Sequence, residues 1–486
     1  MAGSPGGRLD PAQGDASDHR RASAGCPSDG DLPTMITPDL IDRLGGERVP
    51  RYTSYPTAPH FTTEVGPAEF GRWLGDVGPD EAVSAYIHVP FCTALCLYCG
   101  CHTRVVRRYA PVEAYVAALT REIDLVAARL AGRPVLRHLH WGGGTPTMLR
   151  GSDLRRIAGH LRRTFAFAPD IEIAVEIDPR TLTPADVETL AAIGVTRASL
   201  GVQSLDPEVQ RAIRREQSVA ETARAVDWLR FSGIAAVNVD LMIGLPHQSV
   251  ANVVATVDHA VALAPDRVAV FGYGHVPWMK PHQRALPEAA LPGPHERHAQ
   301  FEAAAGRLVR AGYVRIGLDH FAAPDDPLAR AAAAKTLRRN FQGYTTDGTR
   351  TLLGFGASAI SSLPGGYAQA MTDIAAYADA VARGELPTTR GLALTRDDRL
   401  RRDVIEGLMC DLAVDLDEIC GRHGVTADSA FAPELARLDA MARLGVVARS
   451  GHRIAVPDEM RSLVRSASAV FDARLAGGPG RHSTSL

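Results

Sequence analysis

The chain has 486 residues, with 53 Lys and Arg against 55 Asp and Glu, a net charge of −2. This balance excludes a bulk attraction for nucleic acid or anionic membrane, so any anion site has to be a local cluster of arginines. A hydrophobic content of 45 % supplies a full core, and without a run of about 18 apolar residues no transmembrane span is expected.

The length implies a large catalytic unit with an appendage. Residues 1–35 hold Gly, Ser, Pro and Asp without an apolar h-region and read as a disordered tail, not a signal peptide. An N-terminal segment follows over 36–80. From 81 to 290 short apolar runs alternate with amphipathic stretches. Strands are predicted at 83–89, 136–141, 171–177, 197–202, 236–242 and 268–273. Helices are predicted at 111–130, 152–165, 183–192, 207–213 continuing through 219–231, and 250–263. Six β-then-α repeats require parallel strands with right-handed crossovers. The count suits an incomplete α/β barrel better than a closed eight-stranded one, with an open doubly wound sheet as the second choice.

Residues 291–390 read as an extension of this unit. It carries a helix over 296–311 and then polar loops that include Asp319-His320-Phe321 and Arg338 to Tyr344. The stretch 391–470 reads as mainly helical, with helices at 400–412 and 433–444 and a hairpin over 446–456 turning at Ser450-Gly451. A small cap domain fits this pattern better than a winged helix, and the absence of a dense basic face argues against DNA binding. Residues 471–486 read as a tail, loose from Gly477 to Leu486.

Polar and glycine features fall at the carboxyl ends of all six predicted strands. The first runs into a cysteine loop, the second into Gly142-Gly143-Gly144-Thr145-Pro146-Thr147, and the third ends at Glu176 and Asp178. Gln203 follows the fourth, Asp240 and Gly244-Leu245-Pro246 mark the fifth, and Tyr273 and His275 mark the sixth. Carboxyl ends are where barrel and open-sheet enzymes build their sites.

The first of these features is the most informative. Cys92, Cys96 and Cys99 form C-x3-C-x2-C, with Cys101 just beyond. Thiolates select Fe–S clusters, Zn or Cu(I) over hard cations. Three thiolates on one loop suit a four-iron cluster that keeps one iron open for a reagent. A zinc site completed by Cys101 and His102 is the alternative. Cys101 is open to three readings: fourth ligand, redox thiol or packed small residue. Non-ligation is favoured because C-x-C leaves little chain to span two corners of a cubane. The odd total of seven cysteines, with Cys26, Cys410 and Cys420 scattered, is no disulfide framework and suits a reducing cytoplasm.

Tyr86 and His88 share one face of the first strand. The glycine run lets backbone approach a ligand closely, or it is simply a tight turn. Glu176 and Asp240 are candidates for hydroxyl or amine recognition, against helix capping or pairing with arginine. Gln203 and Arg215 offer amide and guanidinium recognition, although Arg211, Arg214 and Arg215 also read as a solvated helix face. Arg51, Arg338 and Arg339 are candidate carboxylate clamps.

The cysteine spacing resembles the radical S-adenosylmethionine (SAM) superfamily. Within it the chain resembles the oxygen-independent coproporphyrinogen III oxidases. The resemblance rests on Pro50 to Thr57, Tyr86 to Cys101, His140 to Thr147, Glu176 to Arg180, Gly201-Val202-Gln203, Arg215-Glu216-Gln217, Gly244-Leu245-Pro246 and Arg339 to Tyr344. It spans residues from about 36 to 470. It implies an α/β fold: an incomplete (β/α)6 radical SAM barrel, an N-terminal segment closing on the active site and a mainly helical C-terminal domain.

By the same resemblance Cys92, Cys96 and Cys99 hold a [4Fe-4S] cluster. Tyr86, Gly143, Glu176 and Ile360 contact the SAM bound to it, and Tyr98, Gly144, Thr145, Gln203, Arg215, Asp240 and Gly274 contact a second SAM. Cys101 and Tyr86 are the catalytic candidates. Tyr98 stands where Phe is common and Gly274 where Ala can occur.

The implied reaction starts when an electron cleaves SAM. The resulting 5′-deoxyadenosyl radical takes a hydrogen from a propionate of coproporphyrinogen III, CO2 leaves and a vinyl group remains. Two such rounds give protoporphyrinogen IX in haem biosynthesis. Implied partners are the substrate and a flavodoxin- or ferredoxin-type electron donor, with a monomeric, cytoplasmic protein. The competing reading is a haem-binding, chaperone-like relative, a branch that typically lacks Cys101 and the Arg51–Thr57 and Arg339–Tyr344 segments. A radical SAM methyltransferase is a distant third.

Overall fold

The computed structural model describes residues 36–475. The tail expectations for 1–35 and 476–486, and Cys26, lie outside the described residues; 471–475, also expected as tail, pack instead, because Phe471 is buried in the C-terminal core and Asp472 accepts from Tyr52. The predicted β-then-α series is present as β1 (Ala82–Val89), α1 (Ala110–Ala127), β2 (Val135–Gly143), α2 (Gly151–Thr164), β3 (Ala166–Ile177), α3 (Pro184–Ile193), β4 (Arg197–Gln203), α4 (Pro207–Ala212), α5 (Val219–Phe231), β5 (Ala236–Ile243), α6 (Val250–Ala262) and β6 (Arg267–Gly272). Helix starts are written in the sequence. Thr183 with Asp186, Ser218 with Glu221 and Ser249 with Asn252 each form a capping box, in which side chains satisfy the first free N–H groups of the helix.

Beyond β6 the chain adds α7 (Pro294–Arg310), β7 (Val314–Ile316), β8 (His320–Ala322), β9 (Thr351–Phe355), β10 (Ile360–Leu363), β11 (Gly366–Ala370) and β12 (Thr388–Ala393). One open sheet of twelve strands results, in the order β12-β11-β10-β9-β1-β2-β3-β4-β5-β6-β8-β7. β9 pairs in parallel with β1, so seven adjacent strands, β9 and β1 to β6, run the same way. Antiparallel strands extend both edges.

Two features differ from expectation. Short strands β7 and β8 stand where polar loop was expected up to about Leu352, and β9 begins at that boundary, because each is a run of only three to five residues and too short to show a period. The expected continuous helix from 207 to 231 is broken in two. Arg214 takes a left-handed backbone at φ 53°, and Ser218 caps a new helix. The Gln210 amide donates to the carbonyls of Ser204 and Gln217 and closes the gap.

Side chains alternate along the parallel strands. On β5, Val237, Val239, Leu241 and Ile243 are buried in the main core. The intervening Asn238, Asp240 and Met242 are only partly buried. A parallel sheet covered on both faces would be apolar throughout, so this alternation marks a polar inner face.

The C-terminal part, with helices Arg396–Asp411 and Ala427–Arg443 and a hairpin of Ala448–Ser450 with Arg453–Ala455, carries a separate core. Leu40, Val49, Tyr52 and Tyr55 of the N-terminal segment belong to that core. Tyr52 donates to Asp472 (3.1 Å) and the Ala473 amide to the Tyr55 hydroxyl (3.2 Å), so the N-terminal segment is tied to the C-terminal part.

A buried carboxyl ties α1 to the loop after β9. Glu122 accepts from the Gly356 amide and the Tyr377 hydroxyl, both at 2.7 Å. Burial pushes its pKa up to about 7, with the two hydrogen bonds acting the other way. A raised native pKa gives stability that is complete below the unfolded value and lost as pH rises through about 7. Stability should therefore fall by on the order of 3 kcal/mol as the pH rises from 4.5 to beyond 7. Glu122→Gln should flatten that decline in denaturant titrations; parallel curves for the two proteins would contradict the assignment.

Candidate active site

The carboxyl ends of β1 to β4 converge on the cysteine loop. Past β1, Phe91–Cys92 pairs with Arg104–Val105 and turns the chain back. The Cys99 amide donates to the Cys96 carbonyl (3.1 Å) and the Leu97 amide to the Ile213 carbonyl (3.0 Å). Residues beyond β6 clasp the loop backbone from the other side. Lys280 Nζ donates to the Cys101 carbonyl and His282 Nε2 to the Cys99 carbonyl, both at 2.8 Å. Gln283 Nε2 bridges the carbonyls of Tyr98 (3.1 Å) and Gly274 (3.4 Å).

All four thiols are free, and donors point at the sulfurs. Thr145 Oγ1 reaches Cys92 Sγ at 3.7 Å, and Cys96 Sγ receives Arg215 Nη1 at 3.5 Å and Arg180 Nη2 at 3.7 Å. A hydrogen bond from Cys101 lowers Cys99 to about 6, and burial raises Cys92 to about 11. Cys101 itself is exposed, and its thiol is held protonated chiefly by donating to Cys99.

This donor set fits a [4Fe-4S] cluster held by Cys92, Cys96 and Cys99. Among the described residues no three His, Cys, Asp or Glu side chains converge as they would around a single ion. Three thiols on one loop, with guanidinium donors at Cys96, suit a cluster in which each thiolate takes a different iron.

The glycine run closes tightly on β1 and β3. A Cβ on Gly142 would lie 2.7 Å from Glu176 Oε1, on Gly143 2.5 Å from the His88 ring, and on Gly144 2.5 Å from the Phe91 carbonyl. Gly143 also needs φ +109°, which only glycine adopts at low cost. Strand register sets Tyr86 opposite His140 and Ile87 opposite Trp141. The Tyr86 and His140 rings stack at 5.8 Å.

His140 Nε2 donates to Glu176 Oε1 (3.1 Å) and the Gly143 amide to Oε2 (3.0 Å). Burial alone would raise Glu176, but these partners overcome it and hold the group below the usual carboxylate range. His88 is pushed down to about 4, mainly by burial. It is therefore neutral near pH 7, donates from Nε2 to the His102 carbonyl (2.9 Å) and accepts the Tyr86 hydroxyl at Nδ1 (3.0 Å). Ile360 joins this group from the β9 side, its carbonyl facing Gly354, the β9 partner of Tyr86.

Arg215 is buried and does not lie on a solvated helix face, unlike the exposed Arg211 and Arg214. The break between α4 and α5 delivers it to Asp178 (3.3 Å), Cys96 and the Gly201 carbonyl. Arg180 also binds Asp178 at 2.7 Å. Gln203, next in line on β4, has φ +67°, the sort of strain that persists where surroundings over-determine the backbone.

Asp240 accepts from Ser199 (2.7 Å) and Asn238 (2.8 Å), and burial raises its pKa. Neither Glu176 nor Asp240 caps a helix or pairs with arginine. Tyr98 packs with Met242 and Leu291 against the cluster of Leu97, Val209 and Tyr273. The clamp candidates separate: Arg338 faces Glu406 on the C-terminal part, whereas Arg51 and Arg339 line a cavity beside β6. His140, Arg180, Lys280, His282 and Gln283 were not singled out from sequence. His140 and Arg180 lay inside quoted motifs; Lys280, His282 and Gln283 had no local pattern to mark them.

An incomplete barrel of parallel strands, as expected, with a three-thiol loop and a glycine cradle at its carboxyl edge, defines a radical SAM protein. Residues 86–260 match the Radical SAM superfamily and 394–462 match the HemN C-terminal domain. The chain is 51 % identical over 448 residues to the oxygen-independent coproporphyrinogen III oxidase of Bradyrhizobium diazoefficiens, covering 92 % of this chain and 99 % of the relative. It is 47 % identical over 391 residues to that of Paracoccus denitrificans, covering 80 % and 87 %. Its fold matches the coproporphyrinogen III oxidase of Escherichia coli with a TM-score of 0.84 and 38 % identity, over 88 % of this chain and all of that one. The chain belongs to the oxygen-independent coproporphyrinogen III oxidase family.

The ligand assignment separates the four cysteines in an anaerobic reconstitution. Cys96→Ser should lose most bound iron and the visible absorbance of thiolate-bound iron, whereas Cys101→Ser should keep both. Equal loss in the two variants would make Cys101 a ligand.

Proposed function

We propose that this chain converts coproporphyrinogen III to protoporphyrinogen IX without oxygen. Two propionate side chains each lose CO2, a hydrogen atom and an electron, and become vinyl groups. The observation that carries this reading is the strand register: it stacks Tyr86 on His140, ties His140 to Glu176 and sets all three beside the thiol loop. When bound, the cluster and SAM supply one-electron reductive cleavage and an acceptor for the hydrogen atom.

The chain's own residues do the rest. Cys92, Cys96 and Cys99 hold the cluster. The Gly143 backbone, Glu176, Tyr86 and Ile360 orient the SAM bound to it. Glu176 is kept ionised by His140 and Gly143 and so suits an amine or ribose hydroxyls. Tyr98, Gly144, Thr145, Gln203, Arg215, Asp240 and Gly274 surround the second SAM. Arg215 and Arg180 offset thiolate charge at Cys96. Cys101, outside the ligand set and the remaining thiol of the cysteine loop, would hold or deliver a proton or hydrogen atom.

The electron donor meets the protein at the cluster loop. Residues 91–109 and 275–287 contain no Asp or Glu but hold Arg104, Arg107, Arg108, Lys280 and Arg284. Leu95, Val105, Trp278 and Met279 are exposed on the same two segments. A basic rim around exposed apolar groups fits a small acidic redox protein of the flavodoxin or ferredoxin type. No helix among the described residues is long and apolar enough to cross a membrane, and a monomer in the cytoplasm is the setting this chemistry suits.

The reading is tested anaerobically with reconstituted protein, dithionite, SAM and coproporphyrinogen III, following tetrapyrroles by mass. Stepwise loss of two carboxyl groups is expected; consumption of SAM without decarboxylation would overturn it. With a flavodoxin in place of dithionite, Arg107→Glu together with Arg108→Glu should lower turnover several-fold and weaken its salt dependence. An unchanged rate would remove the proposed docking face.

A further inference from the structure

Arg180 belongs to neither group of SAM-contacting residues, yet its position is tightly fixed. It stands in the turn that follows β3. Its Nε and Nη2 grip Asp178 at 2.9 and 2.7 Å, and its backbone amide donates to the same carboxylate at 3.1 Å. Arg215 binds that carboxylate too, with Nη1 and Nη2 both at 3.3 Å. The same Nη2 of Arg180 reaches Cys96 Sγ at 3.7 Å, and Nη1 of Arg215 reaches it at 3.5 Å. All three side chains are little exposed, Asp178 by 11 %, Arg180 by 17 % and Arg215 by 7 %.

Two guanidinium groups share one carboxylate, so one positive charge is left over. Buried charges persist where they are paired, and the anion that completes this pairing is the Cys96 thiolate. The other two ligand sulfurs are treated differently. Among the described residues, Cys92 receives the neutral Thr145 hydroxyl and Cys99 the neutral Cys101 thiol. Lys280, the cation near Cys99, donates to the Cys101 carbonyl instead. Glu221 also acts on Arg180, but more weakly, and its carboxylate holds the Ser218 cap. A staple for the turn after β3 explains the Arg180–Asp178 pair. It does not explain why a second guanidinium shares that acid, or why both reach sulfur.

One-electron reduction adds a negative charge to the cluster, and the donor loses that electron. Net charge and hydrogen bonds to the sulfurs set the potential of such a cluster. Cations held against one ligand sulfur stabilise the reduced form more than the oxidised form. We propose that Arg180, held by Asp178, acts through Cys96 to raise the reduction potential of the cluster into the range of a flavodoxin- or ferredoxin-type donor. Asp178 offsets part of the cationic charge and so sets the size of the effect. This role needs only the cluster, whatever substrate the site takes.

The full-length chain is reconstituted anaerobically, and its cluster is titrated against potential without SAM, the reduced form being read by electron paramagnetic resonance. Loss of one charged hydrogen bond in Arg180→Gln should shift the equilibrium about tenfold toward the oxidised form, a midpoint about 59 mV lower for one electron. Arg180→Lys keeps the charge without the fork and should recover part of that shift. Asp178→Asn should move the midpoint the other way, because the cations then act on the thiolate without an offsetting charge. Bound iron and sulfide equal to wild type are the control for cluster loss.

An Arg180→Gln midpoint equal to that of the wild type overturns the proposal. So does a shift of the same sign in Arg180→Gln and Asp178→Asn, the mark of a turn that has merely loosened. A midpoint altered only after SAM is added overturns it in favour of a SAM contact. Should Arg180→Gln bind too little iron to titrate, the sign of the Asp178→Asn shift decides. If the wild type fails to decarboxylate coproporphyrinogen III, the proposed function fails, and these midpoints still decide the role of Arg180.

Discussion

The structure depends on how closely the end of β2 approaches its neighbours. At Gly142, Gly143 and Gly144 there is no room for a Cβ, because Glu176, His88 and the Phe91 backbone fill that space. This contact fixes the carboxyl ends of β1 and β3 against β2 and brings the Gly144 and Thr145 amides to the carbonyls of Val89 and Phe91 (2.7 and 2.8 Å). The cysteine loop is thereby anchored to the same backbone that forms the cradle. A single methyl group added at Gly143 would move the His88 ring and break the chain from Tyr86 through His88 to His102.

Charge follows the same logic. Thiolates and carboxylates gathered at one edge of a sheet repel each other unless cations stand among them. Arg215 and Arg180 share Asp178 and both reach Cys96, so one ion cluster serves the acid and the thiolate together. The break between α4 and α5 exists at the point that aims Arg215 inward. A continuous helix would have left it beside Arg214, in solvent.

Much of this was legible locally. Capping boxes marked the starts of three core helices, and the sequence Val-Asn-Val-Asp-Leu-Met on β5 announced a polar inner face. The cysteine ligands are three residues of one loop, and the glycine run sits directly after a strand. Other parts had no local signal. β9 is five apolar residues whose role comes from pairing with β1, more than 260 positions earlier in the chain. The helix break at Arg214 is set by Gln210 reaching two carbonyls, which no propensity records. The arginines around Asp319 come from residues 51 to 465, and only the fold brings them together. Arg338 and Arg339, adjacent in sequence, point to different partners, a distinction strand alternation allows but burial decides.

The central claim is that this rim presents a propionate β-carbon to the carbon freed from SAM. Coproporphyrinogen III deuterated at the propionate β-carbons tests it most directly, with 5′-deoxyadenosine analysed by mass after anaerobic turnover. The account predicts deuterium in 5′-deoxyadenosine, one molecule for each vinyl group formed. Unlabelled 5′-deoxyadenosine accompanying labelled vinyl products would contradict it.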